Sequence, residues 1–449
     1  MADNAVGDEH TIGLEMSPPA RHASLRDAPN PASGPRCRDR RQPIRSHDPR
    51  PGRTARRPAG RRLLCLCLVA LLGFACGCGS TGSDRDRPPD QHLDPKLARA
   101  LQNALDQERK AASLTGVAAA VVIPGQGLWS GGSGVANRAT KEPVTGRTSF
   151  PIASVTKTFV AALAIKLADE GRLRLDDPLG RWLPSWPNAD KISLRQLLNH
   201  TSGVANFEQR IDAPYQLAID ARPRKLWSPR RTLSYAGRPE FTPGSRWEYN
   251  NANYILAGLA IERATRSSVA RLLRRELLDP LGLDDVVLQP QERPRGAVAH
   301  GYGAFTPEER RDLRAGGARF IPYDSIASSA WAGGAIVAGA ESVARWGDAL
   351  LRGHILSASG RKQQLSFVPV EADRLAYGLG VTRMLSPELG TEVLGHDGAL
   401  PGFGASLWHL PAKRITAAVL ANDNDSSHAT RRIAAVLIRT VTERQSRER

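Results

Sequence analysis

No cysteine follows Cys78 in this 449-residue chain. All five, Cys37, Cys65, Cys67, Cys76 and Cys78, lie in the first part. The remainder therefore has no disulfide, no cysteine-held metal and no thiol nucleophile. Lysine is scarce as well, nine residues against 53 arginines. The net charge of +17 invites a nucleic-acid reading. The excess is arginine spread along the chain, +6 over residues 1–89 and +11 over the rest. That distribution fits a compositional bias better than a phosphate-binding face, so no nucleic-acid partner is expected. A mean hydropathy of −0.35 excludes a polytopic membrane protein. Residues 91–449 also lack a Gly-x-Ser-x-Gly elbow, a His-Glu-x-x-His pair and both glycine-rich nucleotide loops. Ten scattered histidines have no ligand spacing, so neither a metal nor a cofactor is expected.

What is there begins at residue 63. Residues 1–62 are rich in Pro, Arg, Ser, Asp and Gly without helical or strand periodicity, and read as disordered. The apolar run 63–78 behind Arg61-Arg62 would span roughly 24 Å as a helix, short of a hydrocarbon core of about 30 Å. A basic flank, a short apolar stretch and then small residues form the order of an export signal. Its Phe-Ala-Cys76-Gly-Cys78 ending resembles a lipoprotein signal, with Cys76 or Cys78 as the lipidated residue. The expected location is the periplasm or cell envelope, with a lipid anchor as the membrane contact. Residues 79–90 read as a flexible tether, and 91–449 as one globular domain. Nothing in the sequence sets an oligomeric state.

In that domain, residues 93–112 read as an amphipathic helix, and 117–124 with 127–135 as a hairpin. Residues 154–170 read as an apolar helix, and about 175–290 as a mostly helical insert. The runs 377–381, 391–394, 404–410 and 415–420 look like strands, and 428–444 like a closing helix. The expected fold is α/β: a mainly antiparallel sheet flanked by N- and C-terminal helices. The insert would form the other wall of a cleft.

The chemistry concentrates at Phe150-Pro-Ile-Ala-Ser154-Val-Thr-Lys157. Three positions apart at a helix start, Ser154 and Lys157 share a face. A serine becomes a nucleophile beside a base, and a lysine serves as one when burial and a helix N-terminus favour its neutral form. The competing reading is that Ser154 merely caps the helix; Lys157 has the wrong charge for a capping box. Ser-x-x-Lys is weak alone and occurs again at Ser359-Gly-Arg-Lys362. We read that copy as a polar loop and set it aside. Tyr249-Asn-Asn251 precedes a second apolar helix, and His396-Asp-Gly398-Ala399 precedes a strand. Each has a plain alternative: Tyr249 a half-buried aromatic, Asn251 a helix cap, and the Asp-Gly pair a turn. His200-Thr-Ser-Gly203 reads as a helix-stopping turn that shapes the cleft.

These motifs, in this order over about residues 95–425, resemble the penicillin-binding protein and class C β-lactamase family. That family includes D-alanyl-D-alanine carboxypeptidases and esterases of the same fold. The resemblance implies an acyl-enzyme on Ser154, formed on D-amino-acid peptides, esters or β-lactam-like amides. It implies Lys157 as base and Tyr249 as its partner or as the acid for the leaving group. It further implies Asn251 on the acyl side chain, and His396 facing a carboxylate or aiding proton transfer. The N–H groups of Ser154 and Ala399, beside Gly398, would form an oxyanion hole. Where class C β-lactamases carry Lys-Thr-Gly, this chain has His-Asp-Gly. A histidine is largely neutral at pH 7 and Asp397 adds negative charge, so efficient β-lactam hydrolysis is not expected. A non-turnover penicillin-binding or sensor protein on the same fold is the alternative.

Overall fold

Leu97, Leu101 and Leu105 recur every four residues, and in the computed structural model they form the buried stripe of helix α1 (Pro95–Ala111). The structure describes residues 93–207, 214–222, 224–303, 311–312, 324–423 and 426–447. The segments 1–62, 63–78 and 79–90 lie outside the described residues, together with Cys76 and Cys78. The chain divides into Met1–Thr81 and Gly82–Arg449, and every described residue belongs to the second unit.

After α1 come β1 (Gly116–Ile123), β2 (Gly127–Asn137), β3 (Glu142–Pro143) and β4 (Ser149–Pro151). Then follow α2 (Thr156–Asp169), α3 (Leu194–Leu198), α4 (Pro214–Asp220), α5 (Pro229–Leu233), α6 (Asn251–Thr265) and α7 (Val269–Leu273). Next are β5 (Val287–Leu288), β6 (Tyr302–Gly303), β7 (Arg311–Asp312), α8 (Asp324–Ala330), β8 (Ile336–Gly339), α9 (Ala340–Leu351) and α10 (Ala358–Gln364). The chain closes with β9 (Val368–Glu371), β10 (Leu375–Tyr377), β11 (Thr382–Ser386), β12 (Thr391–Leu400), β13 (Phe403–Leu410), β14 (Ile415–Ala421) and α11 (Ser427–Arg447).

Nine strands make one sheet in the order β3-β2-β1-β14-β13-β12-β11-β10-β9. Its neighbouring strands pair antiparallel. Strand periodicity divides β1 between two cores. Val117, Ala119 and Val121 join Leu97, Leu101 and Leu105 of α1 and Ile433, Leu437 and Ile438 of α11 in one apolar cluster. Ala118 and Ala120 belong instead to the larger cluster with Phe159 of α2 and Trp346 of α9. The expected flanking of an antiparallel sheet by terminal helices is what the chain adopts. The ion pairs Arg432–Glu108 (3.0 Å) and Arg444–Asp94 (2.8 Å) join α11 to α1.

Against the larger core, Phe159 stacks on Trp346 at 4.0 Å, and the indole donates to Thr158 Oγ1 at 2.8 Å. Among the described residues around 175–290 the α-helices are short pieces, and α6 alone of these α-helical spans exceeds seven residues. The run 377–381 is not a strand. β10 ends at Tyr377, and Gly380 (φ +71°) bends the chain so closely under α2 that a Cβ would meet the Lys157 carbonyl at 2.7 Å.

Candidate active site

β4 is buried and pairs with β8, which fixes the approach to the nucleophile. A 3₁₀ turn, Ala153–Val155, follows, and α2 starts only at Thr156. Ala153 has φ +47°, an uncommon value for a residue with a side chain. The turn keeps Ser154 half-buried. Ser154 makes no side-chain cap bond, since the residue at the cap position of α2 is Val155 and the turn has none either. Lys157, in the first turn of α2, has no exposed surface. Its Nζ donates to Ser154 Oγ (3.0 Å), Asn251 Oδ1 (2.5 Å) and the Gly333 carbonyl (2.7 Å), three uncharged acceptors.

From the insert, Tyr249 OH donates to Ser154 Oγ at 2.7 Å. The serine oxygen thus sits between an amine and a phenol. Asn250, not Asn251, caps α6: its Oδ1 accepts from Ala252 N (2.8 Å) and its Nδ2 donates to the Val204 carbonyl (2.5 Å). Asn251 is the first helical residue, and its side chain meets the lysine. The other Ser-x-x-Lys does not lie in a loop. Ser359 and Lys362 belong to α10, capped by Ser357, and both side chains are exposed.

The third motif corrects two expectations. His396-Asp397-Gly398 is not a turn but the middle of β12. Asp397 does not add negative charge to the cleft. It accepts from Ser406 Oγ (2.7 Å), Trp408 Nε1 (2.8 Å) and Arg431 Nε (2.7 Å), and the last ties β12 to α11. The β11 ladder stops at Gly395, and beyond it the strand edge runs beside the nucleophile turn. A Cβ on Gly398 would meet the Ile152 carbonyl at 2.4 Å and Ser154 N at 3.0 Å. Only a bare glycine lets the edge come so near. Ala399 follows, exposed and paired with Gly404.

His396 is buried. Its Nδ1 lies 2.5 Å from the Asp397 carbonyl, which can only accept, so Nδ1 carries the proton. Nε2 then accepts from Tyr377 OH at 2.8 Å. Burial, with Lys157 nearby, pushes the imidazole down to about 3. This contradicts the expectation that His396 faces a substrate carboxylate: both nitrogens are engaged within the protein and the ring is uncharged. Tyr377 gave no signal in the sequence, because a lone tyrosine in an apolar run reads as core. Gly333 contributes its backbone carbonyl, the acceptor for Lys157 Nζ.

Residues 101–440 match the family model described as beta-lactamase. The chain is 32% identical to esterase EstB of Burkholderia gladioli over 228 residues, 48% of this chain and 58% of that protein. It is 26% identical to a D-aminopeptidase of Brucella anthropi over 315 residues, 68% of this chain and 56% of that protein. The matches thus span less than two thirds of these relatives' own lengths. Among solved structures, D-amino acid amidase from Ochrobactrum anthropi SV3 superposes with a TM-score of 0.68 at 25% identity. That match covers 78% of this chain and 99% of the amidase.

Proposed function

The chain belongs to the beta-lactamase family, and from that premise we propose that it is a serine hydrolase forming an acyl-enzyme on Ser154. The observation that carries this reading is Ser154 Oγ lying 3.0 Å from Lys157 Nζ and 2.7 Å from Tyr249 OH. In its uncharged form Lys157 keeps its two N–H groups on Asn251 Oδ1 and the Gly333 carbonyl and turns its lone pair to Ser154 Oγ. It takes the Ser154 proton as Oγ adds to the substrate carbonyl carbon. The N–H groups of Ser154 and Ala399 receive the oxyanion, a contribution of several kcal/mol where donors are preorganised. Collapse breaks the bond to the leaving group, which departs with a proton delivered through Tyr249 OH. Water then adds to the acyl carbon, gives its proton to the same pair, and releases the acid with Ser154 restored.

Small esters and amides or peptides of D-amino acids are the proposed substrates, in preference to β-lactams. The neutral, internally bonded His396 supports this choice, because it offers no cation to a leaving-side carboxylate. Similarity to an esterase and to a D-amino acid amidase agrees with it. Export is part of the proposal, supported by the apolar run 63–78 behind Arg61-Arg62; mass analysis of exported protein for lipid on Cys76 or Cys78 tests it.

The decisive experiment follows p-nitrophenyl esters and D-amino-acid amides with the full chain, and intact-protein mass spectrometry for the adduct. Turnover with a transient acyl group on Ser154, both absent in Ser154→Ala, is the expected result. Turnover surviving in Ser154→Ala overturns the reading, and an adduct that never decays favours a non-turnover binding protein.

A further inference from the structure

Five hydrogen bonds lay the segment that carries Tyr249, with the start of α6, against the end of α3 and the turn after it. Glu240 N, Gly244 N and Glu248 N donate to the carbonyls of Gly203 (2.9 Å), Thr201 (2.7 Å) and His200 (2.9 Å). Asn250 Nδ2 donates to the Val204 carbonyl (2.5 Å), and Tyr254 OH to that of Leu198 (2.8 Å). At the centre of this template is His200, fully buried and held at φ +64°.

Its contacts surround Tyr249. The His200 carbonyl binds the amide of Glu248, just before the tyrosine. Its Nδ1 accepts from the amide of Asn250, just after it, at 3.3 Å, and also faces Asn253 Nδ2 at 3.2 Å. Its ring lies against the Tyr249 ring with centroids 4.5 Å apart. On its other sides it meets Tyr377 at 4.8 Å and Tyr254 at 5.4 Å. An imidazole that accepts at Nδ1 carries its proton on Nε2 when neutral. That Nε2 is buried and makes no hydrogen bond among the described residues. Burial, then Lys157 and His396 nearby, hold the ring well below its ordinary value, so it stays neutral. A turn that only had to end α3 would not need such a group. Glycine adopts the left-handed backbone more readily and brings no side-chain N–H to leave unsatisfied.

We propose that His200 is a positioning residue for the reaction: it grips the backbone on both sides of Tyr249 and backs its ring. In this way it holds the phenol hydroxyl on Ser154 Oγ. The proposal rests on the acyl-enzyme reading above, in which Tyr249 OH delivers the leaving-group proton. It assigns His200 no contact with substrate.

The test compares wild type, His200→Asn and His200→Phe, with turnover expressed per site titrated by a fluorophosphonate. Asparagine keeps an acceptor and tolerates the backbone angle, while phenylalanine keeps a ring without the acceptor. Each variant should lose about 10- to 100-fold in kcat per titrated site, with KM nearly unchanged, the scale of a small misplacement of a reacting group. The loss should be larger for alkyl esters, whose leaving groups need a proton, than for p-nitrophenyl esters, whose leaving groups do not. A purely structural role lowers the number of titratable sites and leaves both rates per site alone; that result overturns the proposal. Should neither variant yield titratable protein, Ser202→Ala takes its place. Ser202 Oγ donates to Asn253 Oδ1 at 2.5 Å behind His200. The same unequal loss supports the proposal, and unchanged rates reject it. A wild type without turnover would instead defeat the hydrolase reading, which keeps the two failures apart.

Discussion

Lys157 has no exposed surface, and its amine reaches a hydroxyl, a side-chain amide and a backbone carbonyl. An alanine there removes the base while leaving Tyr249 in place. Lys157→Ala should lower kcat/KM for p-nitrophenyl esters on the order of 10²- to 10⁴-fold, the usual worth of a positioned acid–base group. Tyr249→Phe keeps the ring beside His200 and deletes only the hydroxyl, so its loss should be greater on alkyl esters than on nitrophenyl esters. Equal losses on both would remove Tyr249 from leaving-group protonation. The Ser154 and Lys157 pair was legible because one helical turn separates them whatever the rest of the fold does. The same spacing at Ser359 and Lys362 shows its limit: both lie on α10, and both face water. Burial, which depends on distant residues, distinguishes the two copies. His200 was legible only as part of a turn that shapes the cleft. Its contact with Tyr249, like that of Tyr377 with His396, stayed illegible for the same reason, since the partners lie 49 and 19 positions away along the chain.

At the scale of elements, the site is where one strand edge meets one helix start. β12 passes beyond the end of β11 and brings Gly398 against the turn that carries Ser154. The Arg431 guanidinium on α11 holds Asp397 from behind, so the terminal helix helps fix that edge. Gly398→Ala tests the closeness directly. Its new methyl would lie 2.4 Å from the Ile152 carbonyl, so backbone must shift. Overpacking of this kind costs about 1–3 kcal/mol. We expect a folded protein whose acylation, followed by stopped-flow with an activated ester, is at least about 10-fold slower. Full acylation speed would mean the strand edge is not part of the site. The hairpin, α1, β13, β14 and α11 were legible from periodicity, because each carries a full apolar face. β8 and β11 were not. Ile336-Val-Ala-Gly339 is apolar at every position, like a buried helix segment, and Thr382–Ser386 lacks a clean alternation. The run 377–381 was misread because its apolar residues sit on a glycine bend instead of a strand.

For the whole molecule, the buried histidines set how stability follows pH. Burial lowers His200, His396 and His409, His396 to about 3 and His409 to about 4. Unfolded, each titrates near 6.5, so below that pH the unfolded chain binds protons that the folded chain refuses. Stability is therefore unaffected by these groups above about 6.5 and is lost as the pH falls toward their folded values. Each contributes a slope of about 1.4 kcal/mol per pH unit in that window. Glu240 works in the opposite sense. Burial and the neighbouring Glu248 raise it to about 7, so its protonated form favours the fold between about 4.5 and 7, in a partly hydrated place that weakens the effect. The contribution of the three histidines to stability should therefore fall from pH 6.5 to pH 4.5. His409 is the member to remove, because it lies on β13 with its Nδ1 2.8 Å from Thr416 Oγ1, which reaches Asp348 at 3.2 Å. Arg352 and Arg361 stand near it and help keep it neutral. His409→Gln keeps a polar partner for Thr416 and cannot take a proton. Between pH 6 and 4.5 the unfolding free energy of that variant, read from urea titrations, should lose about one proton's worth of slope relative to wild type. Identical slopes would mean that His409 accepts a proton in the folded chain, and that acid sensitivity must come from the histidines around Tyr249.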